Sequence, residues 1–339
     1  MKNILILCLA CISLQGMAQI NSNKAVTNAA DKFVKSLSDE LKSEAVFVLS
    51  SEERYHWFYT PVPRKGLDFR KLNASQKILA RNLLHESLSE SGEKTALAIM
   101  QLESVLHVLE KRPADSDHRD PEKYYFSIFG NPDPMKPWGW RIEGHHLSLN
   151  YSSVDGKIQS ATPLFFGTNP AIVPAGMPVA EGTEVLKKET QMGFDFLKSL
   201  SPSQKSSAKI AEKAPYDVVS SNNKVAEINQ NEGLAYSELT PDQQKALMAI
   251  ITHYVRRAPA GFSKELLEKT EAAGLANLHF VWMGGEKWGE GHYYRIHNPV
   301  LLIEYDCTQN NANHVHSVVR DLTNDWGGDI IGMHIRNDH

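Results

Sequence analysis

The chain has 339 residues, 42% hydrophobic and 22% charged, a globular balance that excludes collagen-like, coiled-coil and disordered classes. Its 36 basic and 40 acidic residues leave a net charge of −4 with no basic block, so charge makes no case for a nucleic-acid partner or an anionic membrane surface. The same chain carries 14 histidines against 3 cysteines.

Residues 1–18 read as a signal peptide. Lys2 gives a positive start, Ile4 to Leu14 is an apolar run too short to span a bilayer, and Gly16 and Ala18 are the small residues expected before a cleavage after Ala18. A periplasmic or secreted protein is expected. A lipid anchor at Cys11 is the weaker alternative, because Cys8 stands where that signal usually has Leu. Cleavage removes Cys8 and Cys11 and leaves Cys307 with no internal disulfide partner. No other apolar stretch approaches transmembrane length.

Three segments share a helix-start pattern: Leu72-Asn73-Ala74-Ser75-Gln76, Leu200-Ser201-Pro202-Ser203-Gln204 and Leu239-Thr240-Pro241-Asp242-Gln243. In each, a polar cap residue precedes Pro or Ala at the first helical position and Gln at the third, so cap and Gln can satisfy each other's backbone N–H groups. The first leads into Ile78, Leu79, Leu83 and Leu84 and the third into Leu247, Ile250, Ile251 and Tyr254, both at helical spacing. A further helix is predicted from about Glu93 to Glu110. Tyr124–Phe129 with Trp140–Ile142, and His279–Trp282 with His292–Ile296, read as two hairpins. Trp140-Arg141-Ile142 aligns with Tyr294-Arg295-Ile296, and Leu147–Tyr151 then aligns with Leu301–Tyr305 without a gap. The prediction is an α+β fold of two related halves, 19–197 and 198–339, each helices followed by an antiparallel hairpin, sharing one site. Gly156 to Ala180, rich in Pro, Gly and Thr, is expected to be a long loop whose Leu164-Phe165-Phe166 packs as one wall of a cleft.

Seven of the 14 histidines lie between His279 and His339. His314 and His316 fall on one face of a strand, a chelating geometry for a transition metal. Asp321, Asp329 and His334 follow, with Arg320 beside Asp321 either part of the site or simply its ion-pair partner. The second candidate is Gly144-His145-His146-Leu147. Adjacent strand residues face opposite ways, so His146 lies on the polar face beside Ser148 and Asn150 and is the better candidate, while His145 shares a face with Leu147, Leu149 and Tyr151 and could equally be a hydrogen-bonded core histidine. Arg141 and Arg295, at matching positions, read as structural clamps. There is no Gly-X-Ser-X-Gly, phosphate-binding glycine loop, His-Glu-X-X-His or Cys-X-X-Cys. Cys307 beside Asp306 would have a raised pKa, which argues against a nucleophile.

The order Gly291–Ile296, Glu304-Tyr305-Asp306, Asn313-His314-Val315-His316, Arg320-Asp321, Asp325 to His334, together with Gly144–Asn150 and Phe165–Pro170, resembles a large bacterial and fungal family catalogued as domain of unknown function 3500. The likeness covers nearly all of the chain after the leader. It implies no activity, but it links the two histidine segments as parts of one domain type.

The leading expectation is an exported, metal-dependent hydrolase. A divalent transition metal would be held by His314, His316 and one of His145, His146 or His334. Zinc is the first choice because no thiolate or thioether set accompanies the imidazoles; copper or iron stays open, with Met333 beside His334. Asp321 or Asp329 would orient an imidazole or act as base. Trp138, Trp140, Trp282, Trp288 and Trp326 could wall a small-molecule or carbohydrate-like substrate, or belong to the core. The alternatives are a periplasmic metal or ligand carrier, a copper or iron oxidoreductase, and a metal-free enzyme using His314 or His316 with Asp321.

Overall fold

The computed structural model describes residues 24–329. The predicted leader, Met333 and His334 lie outside this range. Among the described residues no helix is long and apolar enough to cross a membrane.

The three predicted helix starts form as read. Ala74–Glu86, Pro202–Ala208 and Pro241–Val255 each begin on a reciprocal capping box, from Asn73 and Gln76, Ser201 and Gln204, and Thr240 and Gln243. The long helix spans Glu90–Leu109, with Ser89 as its cap. Eight strands make the body of one mixed sheet: β1 Tyr124–Phe129, β2 Trp138–Gly144, β3 Leu147–Val154, β4 Leu164–Thr168, β5 His279–Gly284, β6 His292–His297, β7 Leu301–Cys307 and β8 Val315–Asp321. Their order across the sheet is β1-β2-β3-β4-β8-β7-β6-β5, and every neighbouring pair among them is antiparallel. The order is palindromic: two four-strand meanders meet through their last strands, from Thr168 opposite Val315 to Leu164 opposite Val319. Short strands extend both ends, Val46–Phe47 parallel to β1 and Lys209–Ala211 parallel to β5.

Side chains alternate across the strands, and the two faces differ in chemistry. Trp140, Ile142, Leu149, Phe166, Ile303 and Val319 point to the face covered by helices, where Leu83, Ile99, Phe194, Leu247 and Ile251 join them in one core. The opposite face carries buried polar groups, among them Arg141, Glu143, Asn150, Glu304, His316 and Arg320. Two covering loops supply partners for several of them. Arg141 pairs with Glu53 at 2.7 Å, and Glu304 accepts N–H bonds from Val219 at 2.6 Å and Ser220 at 3.2 Å. A buried polar layer therefore lies between the sheet and its loops.

Two expectations change. Residues 156–180 are not one long loop: Lys157–Ser160 pairs with β3, and the supposed wall Leu164-Phe165-Phe166 is β4, a central strand. The tryptophans form no shared wall. Trp138, Trp140 and Trp282 are buried, Trp140 stacks between Trp138 at 4.4 Å and Tyr151 at 4.7 Å, and only Trp288 is half exposed.

Candidate metal centre

β2 ends at Gly144 and β3 begins at Leu147, so His145 and His146 form the two-residue turn of a hairpin rather than strand positions. His146 has the left-handed φ of 61°, which costs a non-glycine residue about 1–2 kcal/mol. The turn is tied on both sides: the His146 N–H donates to the Tyr59 carbonyl, and its carbonyl accepts from Gly167 N–H on β4, each at 2.8 Å. The imidazole is thereby aimed over β4 toward β8.

His314, just ahead of β8, and His316 within it meet this ring. His146 Nε2 lies 2.7 Å from His314 Nε2, which lies 3.0 Å from His316 Nε2. His146 and His316 are 2% and 3% exposed and His314 9%. The centre needs Gly167, where a β-carbon would lie 3.0 Å from the His146 ring, 3.1 Å from the His316 ring and 2.9 Å from the Val315 carbonyl. Just ahead of His314 the chain makes three consecutive left-handed residues, Asn310, Asn311 and Ala312. The Asn313 carbonyl and side chain hold this segment by accepting from the Ala171 and Ile172 N–H groups.

A carboxylate orients one of the three rings. Asp217 Oδ1 accepts from His316 Nδ1 at 2.7 Å, and Tyr59 OH donates to Asp217 Oδ2 at 3.1 Å. With its Nδ1 proton committed to Asp217, His316 turns its Nε2 to the cluster, the usual carboxylate–histidine arrangement behind a metal. Burial, then the neighbouring imidazoles, pushes His314 down to about 2 and His146 well below the usual histidine range. Both rings are therefore neutral, the form that ligates metal. Asp306, the cross-strand partner of His316, is pushed up to about 8 by burial, so near neutral pH its carboxyl adds little charge beside the cluster. Three imidazoles fit zinc, copper or iron, with no sulfur contributed: Cys307 lies on the opposite face of the sheet from Asp306, and burial raises its thiol to about 11.

His145 points another way. Its Nδ1 lies 2.5 Å from Glu103 Oε1, on the long helix, and 2.9 Å from Arg119 Nη1. Its ring stacks on His146 with centroids 3.7 Å apart. Glu103, His145 and His146 form a second group with donor atoms within 4.8 Å. On its outer side His145 borders a cleft of about 360 Å³.

The remaining sequence candidates lie elsewhere. Asp321 is five residues beyond His316, ~16 Å along the strand and on the other face; its carboxylate takes Lys269 at 3.1 Å and the Thr323 hydroxyl at 2.7 Å. The orienting position expected for it belongs to Asp217. Arg320 is a buried clamp, bound to Asp325 at 2.7 Å and to the carbonyls of Asn223 and Lys224, each at 2.9 Å. Asp329 is exposed at the end of the described chain. Sequence reasoning missed Asp217, Glu103, Tyr59 and Gly167. Asp217 sits in a loop without periodic pattern, and it reaches His316 across 99 positions.

Residues 19–328 match the family described as protein of unknown function (DUF3500). The chain belongs to the DUF3500 family. The matched span of this DUF3500 protein includes the 145–146 turn, Asp217 and the 314–316 pair. No curated protein and no solved structure matches it.

Proposed function

We propose that His146, His314 and His316 hold one divalent transition metal, zinc before copper or iron, and that the protein is an exported metal-dependent hydrolase acting on a small-molecule or carbohydrate-like substrate. The observation that carries the reading is the convergence of three ring nitrogens at 2.7 and 3.0 Å. Three imidazoles with a fourth position left open are a ligand set of catalytic zinc. A metal in such a set supplies a water acidic enough to be a nucleophile near neutral pH. The protein's own contribution is geometric: the hairpin turn aims His146, Asp217 fixes the tautomer of His316, and Gly167 leaves room for both rings.

Elemental analysis of the purified full chain tests this reading. About one equivalent of metal is expected, retained by the wild type and lost in His316→Ala together with hydrolytic turnover in a substrate screen. Wild-type protein free of metal, and unable to bind added zinc, would refute it. The deep burial of the three rings favours a second reading, a carrier that holds metal without turnover. A zinc-loaded protein inactive across the screen would support that reading.

A further inference from the structure

The cleft beside His145 is lined by Val62, Arg64, Glu103, Asp120, Lys123 and Tyr125. Each charge on its wall has a partner within the protein. Arg64 Nη1 donates to the Phe58 carbonyl at 2.9 Å, and its guanidinium lies 5.8 Å from the Tyr125 ring centre. Lys123 lies 3.4 Å from Asp117, Asp120 4.0 Å from Arg70, and Glu103 3.6 Å from Arg119. Two cations and two anions line the space in near balance, so neither an anionic nor a cationic ligand gains a net field. Its polar groups supply hydrogen-bond donors and acceptors beside apolar surface from Pro61, Val62 and the Tyr125 ring. Its volume is at the small end of ligand pockets.

We propose that this cleft binds the substrate and that the substrate is a small uncharged polyhydroxy compound, of monosaccharide to disaccharide size. The inference rests on the hydrolase reading for its chemistry but not for binding. One imidazole separates the cleft from the metal ligands, since His145 borders the cleft and stacks on His146 at 3.7 Å. His145, fixed by Glu103, is assigned as a positioning residue that borders the ligand on one face and orients His146 by stacking on the other.

The experiment is saturation-transfer NMR followed by equilibrium dialysis on the full chain, zinc-loaded and chelator-treated. The probes are D-glucose, N-acetyl-D-glucosamine and cellobiose, with D-glucuronate and D-glucosamine as charged counterparts. At least one neutral sugar should bind, with or without zinc, and bind more tightly than its charged counterpart. Val62→Trp fills the cleft from its partly exposed rim, and Asp120→Ala removes one acceptor. Each should weaken that binding by about tenfold or more, with thermal midpoint and zinc content unchanged. Failure of all three neutral sugars to bind, preference for a charged one, or unchanged binding in Val62→Trp would overturn the proposal. Sugar binding by a protein that takes no zinc would leave the cleft standing and remove the metal reading, so the two failures are distinguishable.

Discussion

Exchanging the Asp217 carboxylate for an amide would leave the three ring nitrogens in place and replace the charged acceptor on His316 Nδ1 by a weaker, neutral one beside an NH2 donor, so the tautomer of His316 is held less firmly. Loss of such a supporting partner typically costs 10–100-fold in metal affinity. Asp217→Asn should therefore weaken zinc binding by about that factor in a chelator competition, with the metal-free protein melting at an unchanged temperature. Gly167→Ala tests the same centre sterically: the added carbon meets both rings and a backbone carbonyl, so zinc binding should fall before the fold does. Several buried histidines make the fold acid-labile, and His292 is one that lies outside the cluster. Burial pushes His292 down to about 4, against an ordinary value of 6.5. Between those values the unfolded chain holds the proton and the native chain does not, so stability rises with pH through this window and is lost as pH falls from about 6.5 to 4. The stability lost across that window is ~3 kcal/mol. His292→Gln should make the urea-denaturation profile shallower over that range; an unchanged slope would show that His292 does not contribute. His314 and His316 were legible because a period of two is a local rule. His146 was singled out on strand alternation, whereas the structure aims it from a turn. Asp217 was illegible, since no local pattern links it to His316.

At the scale of elements, capping boxes were readable because every participant lies within four residues. Their tertiary use was not. Gln204 and Gln243, each closing its own box, also face each other, with amide hydrogen bonds of 2.9 and 3.0 Å in both directions. Thr240→Ala should cost about 1 kcal/mol through the lost cap. Gln204→Ala and Gln243→Ala should be non-additive in a double-mutant cycle, since each removes the other's partner; additive losses would mean the paired amides do not couple. β4 escaped sequence reading for the opposite reason. It is a five-residue run between Pro163 and Pro170 in a turn-rich segment, and nothing local reveals that β8, 147 or more positions away in sequence, completes its ladder.

Over the whole molecule, the α+β class was legible from capped helices preceding aromatic hairpins, but the single sheet was not, because hydrophobic alternation does not encode which strands meet. The palindromic order is what two copies of one unit would produce if joined through their last strands, and duplication remains a proposal on that ground. The centre draws His146 from the first meander's hairpin and His314 and His316 from the second. Zinc should therefore stabilise the joined molecule: at a hundredfold excess over Kd the gain is about 2.7 kcal/mol, visible as a raised thermal midpoint absent in His316→Ala. Fragments 19–197 and 198–339, expressed separately, should each bind zinc more weakly than their mixture. Equal affinity in either fragment alone would contradict a shared centre.

β8 is the last of the eight strands to leave the ribosome, yet it occupies the middle of the sheet. Until it is made, β4 has β3 on one side and an open row of backbone donors and acceptors on the other, while β7 waits with its own edge bare. Open edges of this kind invite pairing with other chains. The nascent protein thus carries the β4 border through much of its synthesis and the β7 border only briefly, and a single late segment closes both.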